Sequence, residues 1–281
     1  MRKLIFICLA VIATLPSLAQ KTKKERRDER KQRISELIKQ EEEGVITYHK
    51  HSAFGLKLTT DGYGGFYEVG RAKSIKKALL FQLDISERKH PKEDKQTNIS
   101  IPTSPFIYGK INYFYPVKIG VQQQILLGNK INHNGVSVTG NVGGGISLAL
   151  LRPYNLEVND LKKGNRKLLR YESSDSTIFS NTGQPGYVKD SVLFTNGGLL
   201  SFLQVSGSGL GKGWGEMSVT PGLYAKAALR FDYGKYNEML SALEVGISGE
   251  FYSKKIPQLV YTKPQQLFVS AYVTIMFGRR K

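Results

Sequence analysis

The chain has 281 residues, with 41 Lys and Arg against 23 Asp and Glu, and it contains 15 Tyr, 13 Phe and one Cys. The aromatic content of 10% and the hydrophobic content of 40% exclude a disordered chain. A single Cys excludes a disulfide scaffold and a Cys-based metal site, and no apolar run of about 18 residues follows the N-terminus, which excludes a helical membrane protein. We expect a basic chain that forms strands.

The first 19 residues have the three parts of a secretory signal peptide. Arg2 and Lys3 precede the apolar run 4–15, and the segment 17–19 (Ser-Leu-Ala) offers a small-x-small cleavage site. The run is shorter than the roughly 20 apolar residues of a membrane span. We predict a signal peptide over 1–19 and therefore export. In that compartment no nucleic-acid partner is expected, despite the formal net charge of +18.

A highly charged segment, 20–47, follows the predicted signal peptide. Between 21 and 43 it carries nine basic and seven acidic residues and no Gly or Pro. Ile34, Leu37 and Ile38 form one narrow apolar stripe at helical spacing. This pattern predicts a periplasmic tail, either solvated and partly disordered or a helix that docks on a periplasmic partner.

From about residue 48 the apolar residues alternate with small or polar ones, most clearly over 136–150, 219–231, 243–251 and 267–277. Such alternation gives a strand one apolar face and one small or polar face. The strands are longer than the usual 5–6 residues, and a tilted strand needs about 9–11 residues to cross a bilayer. We predict an all-β fold over 48–281, a transmembrane antiparallel β-barrel of about eight strands. The predicted strands are 52–60, 64–72, 77–87, 110–125, 135–151, 217–232, 238–252 and 266–278.

The connections between these strands alternate in length. If the N-terminus is periplasmic, the short connections are periplasmic, and every outer connection except the first turn is long, as in outer-membrane barrels. The longest outer loop, 152–216, contains enough apolar residues between 187 and 203 to form an extra hairpin or a cap. A count of ten strands is therefore the alternative. Aromatic residues near the strand ends predict two girdles, although Tyr and Phe are also good strand formers. The predicted outer girdle consists of Tyr113, Tyr115, Tyr154, Phe251, Tyr252 and Phe268, and the inner girdle of Phe231, Tyr233, Tyr236 and Phe277.

The Gly-rich alternating strands and the terminal segment FVSAYVTIMFG (268–278) resemble small outer-membrane β-barrel proteins of the Bacteroidota type. The resemblance implies a location in the outer membrane and contact with its lipid, but no particular activity. In bacteria of this group, the segments 175–177 and 190–192 match a short pattern for O-glycosylation of Ser or Thr. Unmodified loop sequence is the alternative at both positions.

Charged residues on the predicted inward faces are the candidate functional residues. An eight-stranded barrel has an interior that side chains can just fill, so a general porin is not expected. Lys226 and Arg230 on one strand are predicted to lie beside Glu244 and Glu250 on the next. The set forms either a structural ion-pair network that plugs the lumen or a narrow polar path. Its members are Lys57, Asp84, Lys118, Lys226, Arg230, Glu244 and Glu250.

No catalytic, metal or cofactor site is predicted. His49, His51 and Ser52 are a close group, but they lie at the periplasmic end with no carboxylate expected nearby. The leading hypothesis is a non-enzymatic outer-membrane barrel that serves as a structural or accessory subunit of an envelope or secretion complex. A narrow pore or ligand channel is the alternative.

The predicted periplasmic rim is basic, and we expect it to attract an acidic periplasmic protein or the carboxylates of peptidoglycan. Ordinary solubilising charge is the alternative explanation. The basic residues of this rim are Arg71, Lys73, Lys76, Lys77, Lys130, Lys235, Arg279, Arg280 and Lys281.

Overall fold

The computed structural model describes most of the chain from residue 49 onward. The predicted signal peptide lies outside the described residues, as does the predicted tail 20–47 apart from Arg27, Lys31 and Gln32. The described residues are 27, 31–32, 49–74, 76–97, 104–129, 135–159, 166–173, 175–180, 185–195, 205–209, 211–234 and 239–281.

Eight antiparallel strands close into a barrel, because the first strand pairs with the last. The prediction of an all-β, eight-stranded barrel is confirmed, and the alternative of ten barrel strands is wrong. The strands are β1 (Lys50–Thr59), β2 (Gly62–Ser74), β3 (Lys77–Arg88), β4 (Asn112–Gly128), β5 (Ser137–Pro153), β6 (Ser218–Asp232), β7 (Met239–Ile256) and β8 (Gln265–Arg280).

Burial alternates along each strand as a period of two requires. On β8 the outward Leu267 and Val269 are 60% and 71% exposed, whereas the inward Ser270 and Tyr272 are each 2% exposed. The exposed apolar residues of all eight strands form one continuous band around the barrel, which we call the apolar belt. Its most exposed members are Phe54, Leu56, Leu58, Leu127, Val142, Leu223, Ile247, Leu267 and Val269.

The apolar belt has the height of a membrane core. On β8 it runs from Leu267 to Phe277. At about 3.3 Å per residue and a strand tilt of about 40°, this stretch rises about 25 Å. Among the described residues, the outward charged side chains of the barrel strands lie at the two ends, such as Glu87 at the loop end of β3 and Arg71 at the terminal end of β2, and none lies between.

The two ends of the barrel differ. The end where β1 begins and β8 finishes, here called the terminal end, has short connections such as 75–76 and 233–238. The opposite end, called the loop end, carries the long connections 89–111 and 154–217. Its wall is uneven, because β1 and β2 meet in a tight turn at 60–61 while β7 and β8 continue beyond it.

The described parts of the connection 154–217 form a cap on the loop end and add no strand to the barrel. Leu156–Asn159 pairs with Arg166–Leu169 and with Ser206–Gly207, and Ser176–Ser180 pairs with Pro185–Lys189. A short helix, Asp190–Thr195, follows. The cap has an apolar core of its own, built mainly from Leu156, Val158, Leu169, Leu193 and Phe194.

The cap also contacts the barrel wall directly. Trp214 stacks on Tyr115 of β4 with ring centroids 5.8 Å apart, and the Arg152 guanidinium lies 4.8 Å from the indole ring. Among the described residues, no helix is both long enough and apolar enough to span a membrane.

Candidate functional site

Arg230 lies at the centre of the first of two ion clusters in the lumen, nearer the terminal end. Its Nη1 and Nη2 atoms donate to the two carboxylate oxygens of Glu68 on β2, each at 2.8 Å. Its Nε and Nη2 atoms also donate to one oxygen of Glu244, at 2.9 and 2.8 Å. All three side chains are at most 2% exposed. Such a geometry is the favourable bidentate form of an Arg–carboxylate pair.

Glu244 accepts hydrogen bonds from the other donors of this cluster. Lys226 Nζ lies 3.1 Å from Glu244 Oε1, and the Tyr272 hydroxyl donates to the same oxygen at 2.9 Å. Asn141 donates to the other oxygen at 2.8 Å. Lys226 also donates to Gln82 at 2.7 Å, on the opposite wall. Glu244 is therefore fully coordinated although it is buried, which offsets the cost of desolvation.

A second cluster lies nearer the loop end. Lys57 of β1 bonds to Asp84 of β3, and Lys118 of β4 lies 3.8 Å from the same carboxylate. Lys118 also binds Glu250 of β7 at 2.7 Å, so its ammonium joins two sides of the barrel. The ring of Tyr272 separates the two clusters, with the ammonium groups of Lys57 and Lys226 at 4.7 and 5.6 Å from its centroid.

Arg88, the last residue of β3, ends the second cluster at the loop end. It binds Asp61 through Nε at 2.8 Å and Glu250 through Nη2 at 3.1 Å. Its guanidinium also packs against the rings of Phe114 and Phe268, at 5.7 and 5.1 Å. Arg88 therefore connects the ion network to an aromatic layer that covers the lumen at this end.

Among the described residues of the two ion clusters, positive and negative charges balance. Five cations face five carboxylates, and the interactions cross from one wall to the other as well as between neighbouring strands. The cations are Lys57, Arg88, Lys118, Lys226 and Arg230, and the carboxylates are Asp61, Glu68, Asp84, Glu244 and Glu250.

The structure places all seven predicted lumen residues inside the barrel and buries them. One predicted pairing is wrong. Lys226 and Arg230 both bind Glu244, but Glu250 lies opposite Tyr224 in the β6–β7 register and binds Lys118 and Arg88 instead. The separation of six residues along β7 places the two glutamates at different heights in the lumen, so they belong to different clusters.

The expectation that no carboxylate lies near His51 is also wrong. His51 Nε2 lies 3.1 Å from Glu68 Oε1, because the tight β1–β2 turn places Ala53 opposite Glu68 and His51 diagonally next to it. His49 is exposed and Ser52 is not part of this contact. The interaction makes His51 a member of the Arg230 cluster.

The sequence analysis did not predict Glu68 and Arg88 as lumen residues, although the alternation along their strands indicated both. Glu68 alternates with the outward Tyr67 and Val69, and Arg88 has the same parity as Asp84 on β3. The predicted β3 ended at 87, one residue too early to include Arg88.

Only part of the predicted aromatic girdles faces outward. Phe251, Tyr233 and Phe277 are about half exposed, at 54%, 47% and 48%. Tyr252 and Phe268 point into the lumen, where they pack with Phe114. Adjacent residues of a strand face opposite sides, so Phe251 and Tyr252 could not both belong to a girdle.

The structure offers no evident metal site, since the described residues contain no group of three or more His, Cys, Asp or Glu arranged to hold an ion.

Outside the strands, burial lowers the pKa of the Lys110 ammonium, an effect that the nearby Glu93 carboxylate opposes. Burial likewise lowers the pKa of His90, and the Glu93 carboxylate again opposes this effect.

No protein-family model and no curated protein matches this chain. Among solved structures, it is similar to the N-terminal β-barrel domain of Pseudomonas aeruginosa OprF, at 9% identity and a TM-score of 0.33, over 82% of this chain and 98% of that one. Neisserial surface protein A (NspA) matches at 9% identity and a TM-score of 0.36, over 83% and 95% of the two chains. Ail of Yersinia pestis matches at 10% identity and a TM-score of 0.35, over 84% and 100%. Likenesses this distant carry no argument about function.

Proposed function

We propose that the chain is a non-enzymatic outer-membrane β-barrel with a closed lumen, which holds its cap on the cell surface and presents its terminal end to the periplasm. The apolar belt carries this proposal. Exposed Leu, Ile, Val and Phe side chains over a height of about 25 Å, without a charge among them, match the hydrocarbon core of an outer membrane. The ring closes by the pairing of β1 with β8, so backbone groups are paired through most of that core, the exception being the edge of β8 before Ala271 at the loop end.

The filled lumen favours a structural role over transport. Two ion clusters occupy the space that a channel would need. Their hydrogen bonds and ion pairs join side chains from opposite walls of the lumen. Opening a path for ions or a ligand would require separating buried ion pairs, which is costly unless water replaces their partners. The hypothesis of a narrow pore therefore has no observation that favours it.

We expect the purified barrel to show no stepwise conductance when it is inserted into planar lipid bilayers, because the ion pairs block the lumen. The measurement is single-channel recording at low and high salt, with insertion verified by protease protection of the reconstituted protein. Regular conductance steps that scale with protein concentration would instead support the pore hypothesis.

The terminal end would dock an acidic periplasmic partner. Seven cations are exposed there and, among the described residues, no exposed carboxylate accompanies them. Arg280 does not belong to this surface, because it is buried and bonds to Asp232. The exposed cations are Lys50, Arg71, Lys73, Lys76, Lys77, Arg279 and Lys281. A surface of one sign attracts polyanions over roughly a Debye length.

The role of this basic rim can be tested with isolated peptidoglycan as the polyanion. We expect the barrel to co-sediment with peptidoglycan at about 0.05 M salt and to be released at about 0.3 M, because salt screens the attraction between the basic rim and the peptidoglycan carboxylates. Replacing Arg71, Lys73, Lys76 and Lys77 by Gln should weaken binding several-fold. Replacing the exposed Lys92, Lys254, Lys255 and Lys263 of the loop end by Gln is the matched control. Equal losses in both variants would contradict a docking surface at the terminal end.

A further inference from the structure

A notch in the barrel wall lies above the β1–β2 turn. The last residue pair between β1 and β8 is Thr59 with Tyr272. One further hydrogen bond joins the two segments, from the Thr60 amide to the Ala271 carbonyl. From Gln265 to Ser270, β8 pairs with β7 on one side but has no strand on its other side among the described residues. One stretch of strand edge is therefore open at the loop end of the belt.

A crevice of roughly 670 Å³ occupies this notch. It is lined by the β1–β2 turn, by the segment 88–92 after β3, by the connection 258–263 and by the first residues of β8. Its volume lies within the range of about 300–1,000 Å³ that is usual for small-molecule sites.

Backbone hydrogen bonds hold the crevice in shape from above. The Ile111 amide donates to the Gln258 carbonyl at 2.8 Å, and the Val260 amide donates to the Gly109 carbonyl at 2.9 Å. Lys110 between them pairs with Glu93 at 2.5 Å. The connection before β4 and the connection before β8 are thus tied together over the notch, so the crevice is a built feature of the fold.

Three buried polar atoms of residues lining the crevice have no hydrogen-bond partner among the described residues. They are Arg88 Nη1, Gln258 Nε2 and Asp61 Oδ1. The Arg88 side chain is 5% exposed, and its other two nitrogens are fixed by Asp61, Glu250 and Ser270. Because a guanidinium is planar, these contacts also fix the direction of Nη1. Unpaired buried donors are costly, and a bound acceptor would satisfy them.

The charge of the crevice fits an anion. Lys89, Lys92 and Lys263 are exposed along its lining, while Asp61, the one carboxylate in the lining, is already paired with Arg88. Two unpaired donors and one unpaired acceptor match a phosphate monoester, which presents several acceptor oxygens and, when singly protonated, one hydroxyl donor.

The other side of the crevice is apolar and continuous with the belt. Leu267 and Val269 line it with outward side chains that are 60% and 71% exposed. A polar pocket that opens directly onto a lipid-facing surface suits an amphiphile, with its headgroup inside and its acyl chains along the belt.

We propose that this crevice binds a phosphorylated lipid of the outer leaflet, with the phosphate at Arg88 and Gln258 and the acyl chains against Leu267 and Val269. The proposal rests on the proposed membrane location. Binding measured in detergent micelles, however, requires only the folded barrel. A failure to bind would leave the membrane location standing, because that location is tested separately by the stability of an Ile247→Arg variant in lipid vesicles.

The test is native mass spectrometry of the barrel in non-ionic detergent, titrated with dimyristoylphosphatidic acid, dimyristoylphosphatidylcholine or inorganic phosphate. We expect one phosphatidic acid per barrel, bound about tenfold more tightly than phosphatidylcholine, because each basic side chain near a headgroup adds about a factor of five. The Lys89→Gln, Lys92→Gln, Lys263→Gln variant should lose about a hundredfold in affinity, a factor of about five for each lysine. These lysines are exposed, and the ion pairs of the lumen do not use them.

The matched control replaces Lys50, Lys73 and Lys77 of the terminal end by Gln, and we expect it to bind like the wild type. Equal affinity for the two lipids, or an equal loss in the control, would overturn the proposal. Binding of inorganic phosphate as tight as that of phosphatidic acid would also overturn it, because the site would then hold a free anion and make no use of the belt.

Discussion

Arg230→Ala should destabilise the barrel by about 3–5 kcal/mol, the usual cost of removing one partner from a buried ion pair. The substitution leaves Glu68 and Glu244 on opposite walls of the lumen without their shared cation. Lys226 could still neutralise Glu244, but Glu68 would keep only His51. Stability should therefore be lost before any other property of the protein changes.

The measurement is the midpoint of urea unfolding in lipid vesicles, followed by the shift in gel mobility between folded and unfolded barrel. Arg71→Ala is the control, since Arg71 lies on β2 near the terminal end and is exposed. A double variant, Arg230→Met with Glu68→Gln, should recover much of the loss, because Glu244 keeps Lys226 as its partner and no uncompensated charge then remains. Equal midpoints for Arg230→Ala and Arg71→Ala would show that the ion network does not stabilise the barrel.

The fold was predictable because alternation with a period of two is a local property of the chain. On β5, for example, the predicted strand 135–151 and the observed Ser137–Pro153 differ by two residues at each end. Each inward or outward assignment follows from parity alone, which is why all seven predicted lumen residues lie inside. Strand number and direction then follow from counting the segments and their connections.

The ion pairs were less predictable, because parity does not tell which side chains meet across the lumen. Glu68 and Arg230 are 162 residues apart and lie on strands that do not pair with each other. Their contact depends on the register of every strand pair around the ring and on the stagger that closes it. The partners of Glu250 were mispredicted for this reason.

The crevice depends on an irregularity that local patterns do not contain. It exists because the turn at 60–61 comes early while β8 extends beyond it, and because two loops meet above the gap. The residues around it come from four separate segments of the chain. The sequence predicted a tight turn at this point. The gap in the barrel wall could not be predicted, because it depends on how far β8 extends beyond that turn.

The central claim is that the apolar belt faces lipid, and Ile247→Arg tests it most directly. Ile247 lies midway along β7, is 60% exposed and has Ala227 and Ala271 as its cross-strand neighbours. An arginine here would lie near the middle of the membrane, where a lipid-facing Arg costs about 2–4 kcal/mol. Val192→Arg is the control, because Val192 is 47% exposed on the cap helix and the same change should cost less than about 0.5 kcal/mol.

The deciding measurement is the free energy of unfolding of both variants and the wild type in phosphatidylcholine vesicles. The account predicts a loss of about 2–4 kcal/mol for Ile247→Arg and almost none for Val192→Arg. If Ile247→Arg were as stable as the wild type, the belt would be in contact with water or another polar surface, which would contradict a barrel that spans the membrane.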